Sequence, residues 1–211
     1  MEVDMTRRVA PAPAGVPALE PIAQELYDTK DYPIAGTGTL TFFQNPSALG
    51  EIETNMVASG QLPYPQQYHA FGICFEIFPG YTEPEAVGNN VAWAREKQKL
   101  REKCFLRLTI GSKDYLTLPG CHIPEGMGIA GFSAGDDTLS NYASLTQGIQ
   151  DIKHAFELTV PQAGKIKPIH IPAQQSFKVE IRWPTPLVLA TPEQPVKFRV
   201  YLVGILWREV Q

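Results

Sequence analysis

The sequence predicts an all-β protein: an antiparallel β-sandwich of jelly-roll form, with one short helix and an extended N-terminal arm. Three observations predict it. Apolar and polar residues alternate with a period of two in several short runs, the pattern of strands that bury one face. Nineteen prolines and seventeen glycines in 211 residues cut the chain into short extended pieces. Only Val91–Lys103 joins helix-favouring residues without Gly or Pro. Many short strands, Pro/Gly corners and a single helix make a sandwich, and the jelly roll is a common form of it at this size.

The bulk numbers fit one domain with an extension. Hydrophobic content of 44% with 19% charge is ordinary for a soluble globular chain. A net charge of −4 argues against broad nucleic-acid binding, which relies on clustered Lys and Arg against phosphates. No run approaches the ~18 apolar residues of a membrane helix. The N-terminus has Arg7 and Arg8 but no apolar stretch, so it does not read as a secretory signal. The three cysteines, Cys74, Cys104 and Cys121, are widely spaced with no C-x-x-C, which signals neither a disulfide framework nor a thiolate zinc site. Synthesis in a reducing cytoplasm is the expectation.

Residues 1–33 read as the arm and 34–211 as the sandwich domain. Prolines 11, 13, 17 and 21 favour extended geometry, and only Ile22–Asp28 has the composition of a helical turn or two. Ordering about thirty residues costs on the order of 30–60 kcal/mol of backbone entropy. Offsetting that takes more than ~1,000 Å² of apolar burial, which points to an arm lying across neighbouring subunits. Its apolar anchors would be Leu19, Ile22, Leu26 and Tyr27.

From Thr37 onward strand follows strand. In "YHAFGICFEIF" strict alternation puts His69 on a core-facing stripe with Phe71, Ile73, Phe75 and Ile77, and Cys74 on the back. His69 and Cys74 then point apart and cannot form a nucleophile–base pair. The helix follows, its basic residues at 95, 97, 99, 101 and 103 spread around the axis as a solvated face. "CFLRLTI" turns through "GSKD" into "YLTL", the composition of a hairpin. "HAFELTV" groups His154, Phe156, Leu158 and Val160. "SFKVEIRW" sends Phe177, Val179, Ile181 and Trp183 inward and Lys178, Glu180 and Arg182 outward. The last strand carries Tyr201, Val203, Ile205 and Trp207 on one face and Val200, Leu202 and Leu206 on the other. Apolar on both faces, it asks for a core on one side and a sister subunit on the other.

No motif supplies chemistry. "GMGIAG" matches G-x-G-x-x-G at Gly126, Gly128 and Gly131, but Pro124 precedes it and no helical period follows, so a loop is expected rather than a dinucleotide site. A cupin metal centre needs paired histidines and a carboxylate; "PIHIPAQQSF" has His170 alone, and His122 beside Cys121 points away from it. Asp136 and Asp137 read as solvated loop acids. Neither a nucleophile elbow nor an H-E-x-x-H helix is expected. Catalytic residues, cofactor and metal are therefore each expected to be none.

A polar "SGQLP" lead into the first long strand comes first. A helix before "LRLTIGSKDYLTLPG", then "PIHIPAQQSFKVEIRWP" and a terminal "FRVYLVGILWREVQ" follow. In that order the pieces resemble virion structural proteins of tailed bacteriophages, specifically the jelly-roll proteins that decorate or cement capsids, often as trimers. The resemblance covers residues 55–211. It implies a non-enzymatic capsid protein located in the virion, with the major capsid protein and sister subunits as partners. The alternative is a jelly-roll carbohydrate-binding module, served by Tyr64, Tyr81 and Tyr142. A cupin-like enzyme ranks behind both.

Overall fold

The computed structural model describes residues 18–44, 50–78, 90–124, 129–136, 141–147, 155–162, 165–190 and 195–210. Its strands in chain order begin with β1 (Leu19–Ala23), β2 (Leu26–Tyr32), β3 (Thr39–Phe42) and β4 (Gln67–Phe78). After the helix α1 (Asn90–Glu102) come β5 (Phe105–Ile110), β6 (Lys113–Pro119), β7 (Ile129–Asp136) and β8 (Asn141–Gln147). The series closes with β9 (Phe156–Glu157), β10 (Thr159–Gln162), β11 (Lys165–Ile171), β12 (Phe177–Arg182) and β13 (Val196–Glu209).

Two antiparallel sheets make a sandwich. The larger runs β1-β13-β4-β11-β10, with β2 also on β13 and β9 also on β4; the smaller runs β3-β12-β5-β6. β7 and β8 form a separate hairpin. Among the described residues no helix is long and apolar enough to cross a membrane.

The period-two reading explains the smaller sheet directly. Phe177, Val179 and Ile181 of β12 are buried and face Leu40 and Phe42 of β3 on one side and Leu106, Leu108 and Ile110 of β5 on the other. Between the sheets an aromatic cluster fills the core. Tyr32 and Trp183 ring centroids lie 4.7 Å apart, Trp183 and Phe198 5.3 Å, and Phe75 and Phe198 6.1 Å. Each such side chain contributes about 1.5–3 kcal/mol by burial, and each good ring pair about 0.5–1.5 kcal/mol more. The polar ends are matched: Trp183 Nε1 donates to the Leu100 carbonyl at 2.9 Å, anchoring α1 to the core. Tyr32 Oη binds both the carbonyl and the amide of Leu187 at 2.9 Å.

Four expectations need correction. First, Leu19–Tyr32 is not part of an arm. β1 pairs with the C-terminal part of β13, Leu19 opposite Glu209 and Ala23 opposite Ile205, while β2 pairs with the N-terminal part, Tyr32 opposite Val196 and Leu26 opposite Leu202. The domain thus includes residues assigned to the arm, and Ile22–Asp28 is extended rather than helical because β13 supplies the partner that local composition could not reveal. The expected arm residues 1–17 lie outside the described residues.

Second, alternation along β4 reverses in the middle. β4 and β13 pair residue for residue from Phe78–Lys197 to Gly72–Val203, and then Ala70 faces Gly204, leaving Phe71 as the extra residue of a bulge. Tyr68 and Ala70 therefore face the core before the bulge, and Ile73, Phe75 and Ile77 after it. His69 lies on the outer face of the sheet, not on the core stripe.

Third, the hairpin turn is shorter than "GSKD". Gly111 takes φ +59° and the turn is Gly111–Ser112, with Lys113 and Asp114 already in β6. Fourth, "HAFELTV" is not one strand: Leu158 separates β9 from β10, and His154 lies outside the described residues.

Candidate functional site

The two outer faces of the sandwich differ in chemistry, and that difference locates the candidate site. On the smaller sheet, Lys178 and Arg182 flank Glu180 at 3.0 and 2.8 Å, and Arg107 meets Asp114 at 3.5 Å. Burial alone would raise the Glu180 carboxyl, but hydrogen bonds and charge from Lys178 and Arg182 outweigh it and hold the group below its ordinary value. The charges of this face are matched, with Phe105 45% exposed beside them.

The larger sheet presents the odd-numbered row of β13: Tyr201, Val203, Ile205 and Trp207. Its even-numbered row, Val196, Phe198, Val200, Leu202 and Leu206, fills the core. Opposite the outer row, β4 contributes Gln67, His69, Gly72, Cys74 and Glu76, and β1 contributes Pro21 and Ala23. One end of this face is polar and closed by residues 50–56. There Lys197 pairs with Asp31 and Glu53, both at 3.1 Å, and Arg199 donates to Thr29 at 2.9 Å and to the Ile52 carbonyl at 2.8 Å. The Arg199 guanidinium also lies over the rings of Tyr27 and Phe78. Tyr201 donates to Glu76 at 3.0 Å; burial, then the Glu76 charge, pushes its phenol up from the ordinary value.

Past Tyr201 the face turns apolar. The Phe71 bulge opens a groove of about 670 Å³, lined by Phe71, Val203, Ile205, Ala23 and Tyr27, with Glu25 and Asn55 at its rim. Desolvation raises the Glu25 carboxyl above its ordinary value. Beyond the groove stand His69, His170 and Trp207. Antiparallel pairing of β11 with β4 sets His170 directly opposite His69. Their ring centroids are 5.0 Å apart, edge to face, and His69 is 5.9 Å from the Trp207 ring. His170 Nε2 lies 3.0 Å from Gln67 Oε1. Desolvation, and for His69 also the neighbouring His170, lowers both imidazoles below the ordinary value, so both are neutral at pH 7.

The expected interface residues divide between core and surface. Tyr201, Val203, Ile205 and Trp207 point to the outer face with Tyr27, whose ring lies 6.4 Å from that of Tyr201, but Val203 is covered, at 7% exposure. Leu26 is in the core at 3% exposure. Leu19 and Ile22 are half-buried in β1. The pairing of His69 with His170 had no signal in the sequence, because a register between strands 101 residues apart leaves no local spacing.

Other candidates gather no chemistry. Cys74 shares the outer face with His69 after all, but four ladder steps of about 3.3 Å separate them. Burial pushes the thiols of Cys74 and Cys104 up to about 12, so neither is a nucleophile at neutral pH. The pentapeptide GFSAG, Gly131–Gly135, does fit the nucleophile-elbow pattern G-x-S-x-G. It lies inside β7 with Ser133 paired to Ser144, whereas the elbow needs a strand-to-helix turn. Asp136 closes β7, while Asp137, Gly126 and Gly128 lie outside the described residues. Tyr64 is 65% exposed. Tyr81, and the side chain of Tyr142, lie outside the described residues. Among the described residues no group of three or more His, Cys, Asp or Glu is placed to hold a metal.

Fold and face together define an antiparallel β-sandwich protein with one charge-matched and one partly apolar sheet surface. The chain matches no protein-family model, no curated protein and no solved structure.

Proposed function

We propose that the chain is a non-enzymatic virion structural protein that cements or decorates a capsid. In this reading the outer face of the larger sheet binds sister subunits, around a threefold axis, and the major capsid protein. One observation carries it. The apolar end of that face, from Phe71 through Val203 and Ile205 to Trp207, contrasts with the ion-paired face of the smaller sheet. An apolar sheet surface on a folded domain is the signature of an association surface.

The connectivity supports a jelly roll. The chain passes between sheets so that β2-β13-β4-β11 and β3-β12-β5-β6 interleave early and late strands in both layers.

The test has two parts. Solution mass of the purified chain across concentration is expected to move from monomer to a closed trimer. Mass spectrometry of particles made by cells carrying the gene is expected to find the chain in many copies per particle. A monomer at every concentration, together with particles that lack the chain, overturns the proposal.

A further inference from the structure

We propose that His69 and His170 form a cross-strand binding site for one divalent transition-metal ion of the Cu²⁺, Ni²⁺ or Zn²⁺ class. The ion's remaining positions would be open to water or to an incoming donor. This inference does not rest on the capsid reading, although the pair adjoins Trp207 on the face that reading gives to sister subunits, and it stands on three features of the pair.

The first is spacing. A transition metal binds an imidazole nitrogen at about 2.0–2.1 Å, which places it about 3.2 Å from the ring centre. Two rings on one ion at 90–110° then have centroids about 4.5–5.2 Å apart. The observed centroid separation is 5.0 Å, so the β4–β11 register already holds both rings at the required spacing.

The second is the partner of His170. With Gln67 Oε1 as acceptor, 3.0 Å away, Nε2 carries the proton and Nδ1 keeps the free lone pair. A ligating histidine ordinarily donates its other ring N–H in this way, which fixes the tautomer and raises ligand basicity. Gln67 is thus a positioning residue.

The third is access. His170 is exposed and His69 half-buried on an outer sheet face, so an ion reaches them without opening the fold. Two protein donors hold an ion less tightly than the three or four of catalytic and structural zinc sites. Cu²⁺ binds most strongly of the class and is the probe of choice.

The experiment titrates Cu²⁺ into the full chain and into His69→Asn, His170→Asn and the double variant, with circular dichroism confirming each fold. Electron paramagnetic resonance reads the nitrogen donors. The wild type is expected to bind one equivalent more than the double variant, with two imidazole nitrogens on the copper. Each single variant is expected to weaken that equivalent at least tenfold, and Gln67→Leu to weaken it severalfold. Trp207 fluorescence is expected to quench in step with occupancy, because its ring lies 5.9 Å from His69. Equal stoichiometry in wild type and double variant overturns the proposal, since any copper then resides elsewhere, such as at exposed Cys121 and His122. A single-nitrogen spectrum overturns it as well.

Discussion

The ring of Tyr68 occupies the space over Gly204 on the core side of the larger sheet. A Cβ on Gly204 would stand 2.7 Å from Tyr68 Cε1 and Cζ and would collide with the His69 carbonyl. Lying across the bare glycine, the ring carries its hydroxyl to the Leu202 carbonyl at 2.6 Å and the Gln24 carbonyl at 3.0 Å. One residue of β4 thereby reaches the point where β13 changes partner from β2 to β1. The arrangement requires glycine at position 204 and a hydroxyl at position 68.

Gly204→Ala is therefore expected to cost about 1–3 kcal/mol, the range for overpacking a filled core. Tyr68→Phe is expected to cost about 1 kcal/mol, for one hydroxyl hydrogen bond. Urea unfolding checks both: the midpoint should fall with an unchanged m-value.

Asp28 is fully buried in β2 and accepts the Phe43 amide at 2.7 Å, with Lys30 3.5 Å away. Burial raises its carboxyl above the ordinary 3.8, against the Phe43 hydrogen bond and the Lys30 charge. A carboxyl raised on folding favours the folded state fully below the unfolded value, and that contribution is lost as pH rises through the folded one. Asp28→Asn keeps an acceptor for Phe43 and carries no charge. Its stability relative to wild type is expected to improve as pH rises from 4 to 7, whereas Asp28→Ala should cost about 1–3 kcal/mol. Denaturation midpoints at several pH values decide it.

Adjacent residues of β13 face opposite ways, so a charge at each should have opposite effects. Leu206 is buried in the core, whereas Trp207 is half-buried on the outer face. Leu206→Glu is expected to unfold the domain. Trp207→Glu is expected to leave it folded and, on the proposed function, to reduce an oligomer to monomers. Circular dichroism and solution mass on the two variants distinguish the roles.

Truncation at residue 17 removes no described strand, but truncation at residue 33 removes β1 and β2 and with them Leu26, Asp28 and Tyr32. Deleting 1–17 should leave cooperative unfolding intact. Deleting 1–33 should abolish it, because Trp183 and Phe198 lose the ring they pack against. A folded 34–211 fragment would contradict the pairing described for β2.

The thiols give a compact check on burial. Cys121 is exposed, whereas Cys74 and Cys104 are buried with thiols pushed up to about 12. An Ellman titration should find one reactive thiol in the native protein and three in denaturant. More than one fast native thiol would show that a buried position is open.

Much of the smaller sheet was legible because β12 and β5 obey a strict period of two and pair without a shift. β2 was not: its first residues fall in Ile22–Asp28, which has the composition of a helical turn, and its inward Asp28 is held by a backbone amide rather than by apolar contact. In β4 the apolar run continues through the bulge. Phe71 is apolar and masks the reversal, and its one local trace is Gly72, since a glycine inside a strand often marks a bulge. His69 was consequently assigned to the wrong face, and its pairing with His170 depends on a long-range register that no local window contains.

The central position of β13 has a consequence for synthesis. β1, β2 and β4 each take β13 as a partner, yet residues 196–209 are made after all of them. The smaller sheet waits in the same way for β12, which joins β3 to β5. A ribosome-bound chain ending before residue 196 therefore holds its early strands without their shared partner and cannot close either the larger sheet or the core beneath it. Closure of the larger sheet is therefore expected to wait for translation to reach β13, and chains released before that point to expose their hydrophobic strands to proteolysis.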